Sequence, residues 1–184
     1  MKLILFRHCE TTYNRSHRFT GTMDVALTVK GRGQAKQLMR HLRKEVPDII
    51  FSSPLHRCMD TADIVRGDRD VPIMAVQALR ERSYGDLQGM THAAYKGRYG
   101  ADALHNVRRS YDTAPPHGES LKQVEARVVA WYNGMLKSGY TEVWVCMHGN
   151  VLRMLRKYLE GLTVQETLAL EHPYNVVYEY NVKI

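Results

Sequence analysis

The sequence predicts an α/β fold: a three-layer, open and mostly parallel sheet with one antiparallel edge strand. Two short apolar runs, 3–6 and 143–147, each lead into a histidine and then a more polar segment. Stretches with helical periodicity separate these runs from a third apolar run at 48–52, and such alternation is typical of parallel sheets. Alternating apolar and polar residues over 176–184 predict the half-exposed edge strand.

The first half of the chain supplies two further elements. After a polar connection over 12–23, apolar residues at helical spacing from Gly33 to Val46 predict an amphipathic helix, which Pro47 ends. The run 48–52 then predicts a second strand. Long polar connections at strand ends often carry binding groups, so we expect the 12–23 segment to contribute to a site.

A second helix is expected after this strand. Ser53 and Pro54 have the residue types preferred at a helix N-cap and at the first helical position. Arg57 then lies in the first turn. The core face of this helix comprises Leu55, Cys58, Ala62 and Val65. A third strand is predicted at 71–76.

The second half contains an irregular segment and two helices. Residues 79–117 lack a clean period, so we expect short helices and loops that form an inserted cap in a single catalytic domain, 1–184. Ser120 and Gln123 predict a capping box that opens a long helix. The last helix, after His148, is expected to bury Val151, Leu155 and Tyr158 and to expose Arg153, Arg156 and Lys157.

Composition limits the function classes. The net charge of +7 attracts anions, but the arginines are scattered singly rather than clustered in a stripe, which favours a small anionic ligand over nucleic acid. Three cysteines without paired spacing indicate reduced thiols rather than disulfides or a zinc site. No apolar run reaches the length of a signal segment or membrane span, so we expect a cytoplasmic protein with no membrane partner.

The two histidines that follow apolar runs suggest the chemistry. If His8 and His148 meet Arg7 and Arg57 at one sheet edge, the guanidinium forks fit a phosphoryl group and a neutral imidazole can attack its phosphorus. The arginines then stabilise charge as a metal ion does elsewhere, and we expect no metal. Glu81 is the candidate acid that protonates the leaving group.

Each of these residues also has a plainer interpretation. A histidine at a strand end is a common polar terminus, and a helical arginine such as Arg57 is usually solvated. Glu81 could pair with the arginines beside it on the surface, where such pairs stabilise little. The three cysteines are small residues that fill space in a core. No single residue therefore establishes the site.

Longer motifs carry a family resemblance. The opening RHCETTYNRSHRFTG resembles that of the histidine phosphatase superfamily, and in particular its cofactor-dependent phosphoglycerate mutases. SSPLHRCMDTA, LRERSYGDLQGM, RRSYDTAPP, ESL and HGNVLRMLRKYLEG follow in that family's order. The resemblance spans essentially the whole chain, and the middle motifs are the most specific to the mutase branch.

The resemblance implies a phosphoglycerate mutase-like fold and the interconversion of 3-phosphoglycerate and 2-phosphoglycerate, primed by 2,3-bisphosphoglycerate. It implies that His8 is the phosphorylated nucleophile, that Glu81 is the general acid and base, and that Arg7, Arg57 and His148 surround the phosphoryl group. The residues implied to complete the phosphoryl pocket are Asn14, Thr20, Gly21, Gly149 and Asn150. Those implied to hold the rest of the substrate are Arg18, Tyr84, Arg108 and Arg109.

Four departures from the family pattern keep alternatives open. Cys9 replaces a glycine, which matters if that turn needs positive φ, and His92 replaces a substrate-binding lysine, which would make that contact pH-dependent. An insertion before Gly118 is missing, and the chain stops at Ile184 without the family's mobile tail. Less cover over the site lets water compete for the intermediate.

Three functions therefore remain open from the sequence. The preferred interpretation is a mutase whose partner is a small phosphorylated metabolite. The alternative is a phosphomonoester phosphatase that uses the same His8 and Glu81. A non-catalytic protein that binds an anion or nucleic acid is the third. The sequence leaves the oligomeric state open, with a homodimer as the candidate assembly.

Overall fold

The computed structural model describes residues 1–183, so the predicted position of Ile184 in the edge strand lies outside the described residues. The strands are β1 (Lys2–Arg7), β2 (Ile49–Ser52), β3 (Ile73–Ala75), β4 (Glu142–Met147) and β5 (Val177–Asn181). The helices are α1 (Thr12–Arg15), α2 (Val29–His41), α3 (His56–Arg66), α4 (His92–Tyr99), α5 (Ala101–Arg109), α6 (Leu121–Met135), α7 (Gly149–Glu160) and α8 (Val164–Ala169).

The five strands form one sheet in the order β3-β2-β4-β1-β5. β1, β2, β3 and β4 pair in parallel, and β5 pairs with β1 in the antiparallel direction at the edge. The predicted fold class, a mostly parallel sheet with one antiparallel edge strand, is confirmed.

The sheet is covered on both faces, which explains why its central strands read as continuous apolar runs. Alternate residues of β1 and β4, among them Leu3 and Val145, pack against α6 and α7 on one face. The intervening residues, such as Ile4 and Trp144, pack against α2 and α3 on the other. The resulting order of helices, sheet and helices is the predicted three-layer arrangement.

Strand register brings three loops to one edge of the sheet. β1 and β4 are aligned so that Arg7 faces Met147, and the backbone N–H of His8 donates to the Met147 carbonyl at 2.9 Å. β2 also ends level with β4, as shown by the N–H of Ser53, which donates to the Cys146 carbonyl at 3.1 Å. The residues that follow β1, β2 and β4 therefore leave the sheet side by side.

Two predicted helix boundaries are wrong. α2 begins at Val29, where the side chain of Thr28 caps the helix, and not at Gly33. It ends at His41, so the helical spacing does not extend to Val46, whose side chain is exposed. Glycines have low helix propensity, which is why a helix containing Gly31 and Gly33 is difficult to place from sequence.

Ser53 is not the N-cap of α3. This helix begins at His56, and its N-cap, Leu55, makes no side-chain capping bond. The Ser53 hydroxyl instead lies 2.8 Å from Nε2 of His148. The predicted core face of α3 is confirmed, since Leu55, Cys58, Ala62 and Val65 are all buried.

α6 and α7 give one confirmed prediction and one correction. The capping box between Ser120 and Gln123 is present at the start of α6. In α7, however, Arg153 is buried and Tyr158 is exposed, the reverse of the prediction. Arg153 can be buried because its guanidinium donates to Asn150 Oδ1 and to the Leu170 carbonyl, partners that the periodicity of one helix cannot reveal.

A buried arginine ties the irregular segment 79–117 together. Arg82 is fully buried and donates to the carbonyls of Val107, Thr113 and Glu119. Gly85 has a φ of +52°, and a Cβ there would lie 1.9 Å from the Pro116 carbonyl oxygen, so only glycine fits. The role of this segment as an inserted cap stays a prediction.

We expect Arg82→Lys to lower the free energy of unfolding by about 3 kcal/mol, because one ammonium group cannot serve carbonyls that a planar guanidinium reaches in several directions. Urea titration followed by circular dichroism measures the change. Arg80→Lys is the matched control, since Arg80 is exposed. A loss below 1 kcal/mol for Arg82→Lys would contradict this account.

Candidate active site

A polar cleft opens at the edge where β1, β2 and β4 end, with a free volume of about 140 Å³. All of the predicted site residues except His148 line it. The lining residues are Arg7, His8, Asn14, Arg18, Phe19, Thr20, Gly21, Arg57, Glu81, Tyr84, His92, Arg108, Arg109, Gly149, Asn150, Arg153, Glu171 and His172.

His8 has the tautomer and charge of a nucleophile. Its Nδ1 lies 2.8 Å from the Cys9 carbonyl oxygen, which can only accept, so Nδ1 carries the proton and Nε2 keeps a free lone pair. Burial lowers the pKa of His8 well below its usual value, and the charges of Arg57 and Arg7 lower it further. The imidazole is therefore neutral near pH 7.

His148 lies behind His8 rather than in the wall of the cleft. The two ring centroids are 5.0 Å apart, edge to face, and His148 has no exposed surface. Arg57 Nε donates to its Nδ1 at 3.2 Å, so the proton is on Nε2, which donates to Ser53 Oγ. Burial lowers the pKa of His148 well below its usual value, with Arg57 the next cause.

Arg57 is held from several sides. Besides its contact with His148, it donates to the carbonyls of Gly21 and Met23, each at 2.7 Å. Gly21 has a φ of +52°, and a Cβ there would lie 2.0 Å from Gln88 Oε1, so this carbonyl depends on glycine. The guanidinium is thus fixed in the cleft before any ligand binds.

Two other arginines in the cleft have unused donors. Arg7 donates through Nη1 to the His172 carbonyl and stacks on the Tyr174 ring, with Cζ 4.4 Å from the ring centroid. The Nε atoms of Arg7 and Arg153 are buried and have no hydrogen-bond partner in the described chain. Buried N–H groups without partners are costly, so these two arginines are held here at an energetic expense.

Glu81 is a buried carboxylate at the rim of this positive cleft. One of its oxygens, Oε1, accepts from the Arg82 backbone N–H at 2.8 Å. The flanking arginines do not neutralise it, because Arg82 turns its guanidinium toward backbone carbonyls and Arg80 is exposed. Glu81 therefore presents a carboxyl group to the cleft, where it can exchange a proton.

The outer wall consists of side chains that suit a second anionic group. Asn150 donates to the Tyr84 hydroxyl at 3.5 Å, and its own Oδ1 accepts from Arg153. Arg18 donates to the Gly89 carbonyl, and Arg109 pairs with Glu171. Forked guanidinium groups in such positions bind carboxylates and phosphates.

His92 does not behave as a substitute for a positively charged lysine. Burial lowers its pKa to about 4, and the charges of Arg108 and His17 lower it in addition. The side chain is therefore neutral at pH 7, and any pH dependence of this contact lies in the acid range. Its ring packs against Phe19, with centroids 4.6 Å apart.

Cys9 causes no backbone strain beside His8. Among residues 1–183, the non-glycine residues with positive φ are His17 and His117, so the turn after β1 does not require glycine. The Cys9 N–H donates to Thr61 Oγ1 at 3.2 Å, and burial raises the pKa of its thiol to about 12. Cys9, Cys58 and Cys146 are free and buried, as expected of residues that fill space.

Sequence reasoning missed several cleft residues. Local patterns predict Arg153 to be solvated, whereas it lines the cleft, and they predict Ser53 to be a helix cap, whereas it contacts His148 behind the cleft wall. Glu171 and His172 lie in an irregular segment after α8 and match no motif or period. The one available indication is the order of elements, because β5, the strand that follows this segment, pairs with β1.

Within residues 1–183, no group of three or more histidine, cysteine or acidic side chains is arranged to hold a metal ion. In the same part of the chain, no helix combines the length and apolarity needed to cross a bilayer.

Known proteins resemble the chain over nearly its full length. The 2,3-bisphosphoglycerate-dependent phosphoglycerate mutase of Beijerinckia indica is 38% identical over 177 residues, which cover 92% of this chain and 86% of that protein. The structure of Bacillus stearothermophilus YhfR is 29% identical, with a TM-score of 0.91 over 99% of this chain and 91% of that one.

A phosphatase is similar as well. The mycobacterial glucosyl-3-phosphoglycerate phosphatase is 30% identical, with a TM-score of 0.84 over 94% of this chain and 86% of that chain. The family model for the histidine phosphatase superfamily, branch 1, matches residues 3–183. The resemblance drawn from the motifs is confirmed, and the chain belongs to the histidine phosphatase superfamily.

Proposed function

We propose that the chain is a phosphoglycerate mutase that interconverts 3-phosphoglycerate and 2-phosphoglycerate, primed by 2,3-bisphosphoglycerate. The observation that carries this proposal is an unprotonated His8 Nε2 in a cleft lined by six arginines. Relatives named as such mutases, including that of Beijerinckia indica, support the choice among anionic substrates. A glycolytic role in the cytoplasm and a homodimeric assembly belong to the same proposal.

His8 is the nucleophile in this mechanism. Its Nε2 lone pair attacks phosphorus, the bond between phosphorus and the ester oxygen breaks, and the phosphoryl group is transferred to the imidazole. The Nδ1–H stays hydrogen-bonded to the Cys9 carbonyl oxygen, and this hydrogen bond stabilises the positive charge that the ring gains. Glu81 gives its proton to the leaving alkoxide and takes a proton from the accepting hydroxyl in the second half-reaction.

The arginines stabilise the phosphoryl oxygens as charge develops. Arg7 and Arg57 are already oriented by backbone carbonyls, so little reorganisation is needed during transfer. His148 and Ser53 act as positioning residues, because they fix the edge of the Arg57 guanidinium and pack against His8. The first turn of α7 adds backbone N–H groups at Gly149 and Asn150.

The cleft also fits the primer. A molecule with two phosphates and a carboxylate needs several cations, and Arg7 and Arg153 are among the six arginines that line the cleft. When bound, the primer supplies the phosphoryl group that loads His8. Arg108 and Arg109 are placed to hold its second anionic end, with Tyr84 and Arg18 beside them.

A second candidate is a phosphomonoester phosphatase that uses the same residues. The similarity to the mycobacterial glucosyl-3-phosphoglycerate phosphatase favours it. In this case water, rather than a second hydroxyl, accepts the phosphoryl group from His8. The two functions differ in the fate of one intermediate and can be separated by product analysis.

The first experiment supplies 3-phosphoglycerate with a trace of 2,3-bisphosphoglycerate. We expect 2-phosphoglycerate to form at least tenfold faster than free phosphate, because phosphoryl transfer within a desolvated cleft is favoured over attack by water. Labelled primer should leave acid-labile, base-stable phosphate on the wild type and none on His8→Ala. Faster release of phosphate would favour the phosphatase, and the absence of label, 2-phosphoglycerate and free phosphate together would exclude both functions.

A second experiment tests the proton donor. We expect Glu81→Gln to lower kcat with 3-phosphoglycerate by about 10²–10⁴-fold, because the alkoxide must leave without a proton. Phosphorylation of His8 by 4-nitrophenyl phosphate should fall by less than about tenfold, since nitrophenolate leaves unprotonated. Equal losses with both donors would show that Glu81 does not act as the acid.

A third experiment tests the tautomers. Two-bond ¹H–¹⁵N correlation spectra of the free protein at pH 6 should show His8 protonated on Nδ1 and His148 on Nε2, both neutral. Exposed His117, on the surface beside Asp86, supplies a comparison resonance in the same spectra. A His8 ring that becomes charged near pH 6.5 would contradict the assignment of a neutral nucleophile.

A further inference from the structure

Glu171 is the second carboxylate of the cleft, and the mechanism above does not use it. Its backbone position is fixed from both sides. The carbonyl of Leu170 accepts from Arg153 Nη2 at 2.7 Å, and the carbonyl of His172 accepts from Arg7 Nη1 at 3.0 Å. Because both arginines also line the cleft, the chain at Glu171 is held against the cleft wall rather than on a free loop.

The side chain of Glu171 reaches Arg109. Its Oε1 accepts from Arg109 Nη2 at 2.5 Å, and the Arg109 side chain is only 17% exposed, whereas that of Glu171 is 77% exposed. The exposed partner can therefore swing into solvent while the arginine stays in place. An ion pair with so exposed a partner is weak and easily displaced.

Arg109 is one of the arginines that we assign to the second anionic group of the substrate. A glutamate carboxylate and the carboxylate of phosphoglycerate are the same chemical group with the same charge. Both fit one face of a guanidinium. They therefore compete for the same donors.

We propose that Glu171 is a specificity-determining residue, which occupies the position of the substrate carboxylate on Arg109 in the free protein. A ligand with a carboxylate displaces Glu171 and binds Arg109 in its place. A ligand that has only a phosphoryl group leaves the ion pair between Glu171 and Arg109 intact. Glu171 thus keeps Arg109 in its binding orientation and lowers the affinity for carboxylated ligands by a small factor. This inference rests on the proposed function.

The surroundings favour a carboxylate at this position. Arg109 and Arg153 lie close enough that the charge of Arg109 lowers the pKa of Arg153, and the charge of Glu171 partly offsets this effect. Without a carboxylate, the repulsion between the charges of Arg109 and Arg153 would lose this offset. The substrate carboxylate takes over this charge balance when Glu171 leaves.

Binding of two matched ligands tests the inference. Calorimetry compares 3-phosphonopropionate, which has a carboxylate, with propylphosphonate, which has a methyl group in its place; neither can transfer a phosphoryl group. In Glu171→Gln, we expect the Kd of 3-phosphonopropionate to fall about fivefold and that of propylphosphonate to change less than twofold. Glu179→Gln, at a half-exposed glutamate near Lys2, should change neither value.

A double variant shows whether the effect passes through Arg109. In an Arg109→Gln background, Glu171→Gln should no longer change the ratio of the two Kd values. The inference is overturned if both ligands shift equally, if 3-phosphonopropionate binds more weakly to Glu171→Gln, or if the effect persists without Arg109.

These measurements separate the inference from the proposed function, since they require no turnover. An unchanged ratio in a protein that forms 2-phosphoglycerate would overturn the inference alone. A shifted ratio in a protein that forms no 2-phosphoglycerate would preserve the competition between Glu171 and a ligand carboxylate for Arg109 and would reject the mutase.

Discussion

The parallel register of β1, β2 and β4 is the constraint on which the rest of the structure depends. It places His8 directly beside His148 and brings Ser53 to the same edge. Because these strands are buried on both faces, the histidines leave the sheet in a desolvated region, and burial is the main cause of their low pKa. The sheet therefore sets the protonation state of His8 as well as its position.

Backbone carbonyls determine where the charges of the cleft point. Arg57 is held by Gly21 and Met23, and Arg7 by His172. A guanidinium whose donors are partly used by carbonyls cannot rotate freely, so its remaining donors face the ligand at little entropic cost. The irregular loops after β1 and α8 thus contribute as much to the site as the regular elements.

The fold could be predicted because its evidence is local: apolar runs mark buried strands, and Ser120 and Gln123 mark a helix start. Most cleft residues could be predicted because they lie in recognisable motifs. Ser53 and Arg153 were misplaced for a different reason. Each matches a common local pattern, a cap or a solvated helix face, but its partners come from distant parts of the chain. Local rules give way where tertiary contacts satisfy a buried polar group.

The cover over His8 comes from the same segment that holds the arginines. Tyr174 stacks on Arg7 and lies 6.4 Å from the His8 ring, while its carbonyl accepts from the Cys9 thiol. This side of His8 is therefore closed by packing and hydrogen bonds in the free protein. Water must approach from the cleft, where a bound phosphoglycerate would exclude it. In the proposed mechanism, the ratio of transfer to hydrolysis therefore depends mainly on how long the cleft stays occupied after His8 is phosphorylated.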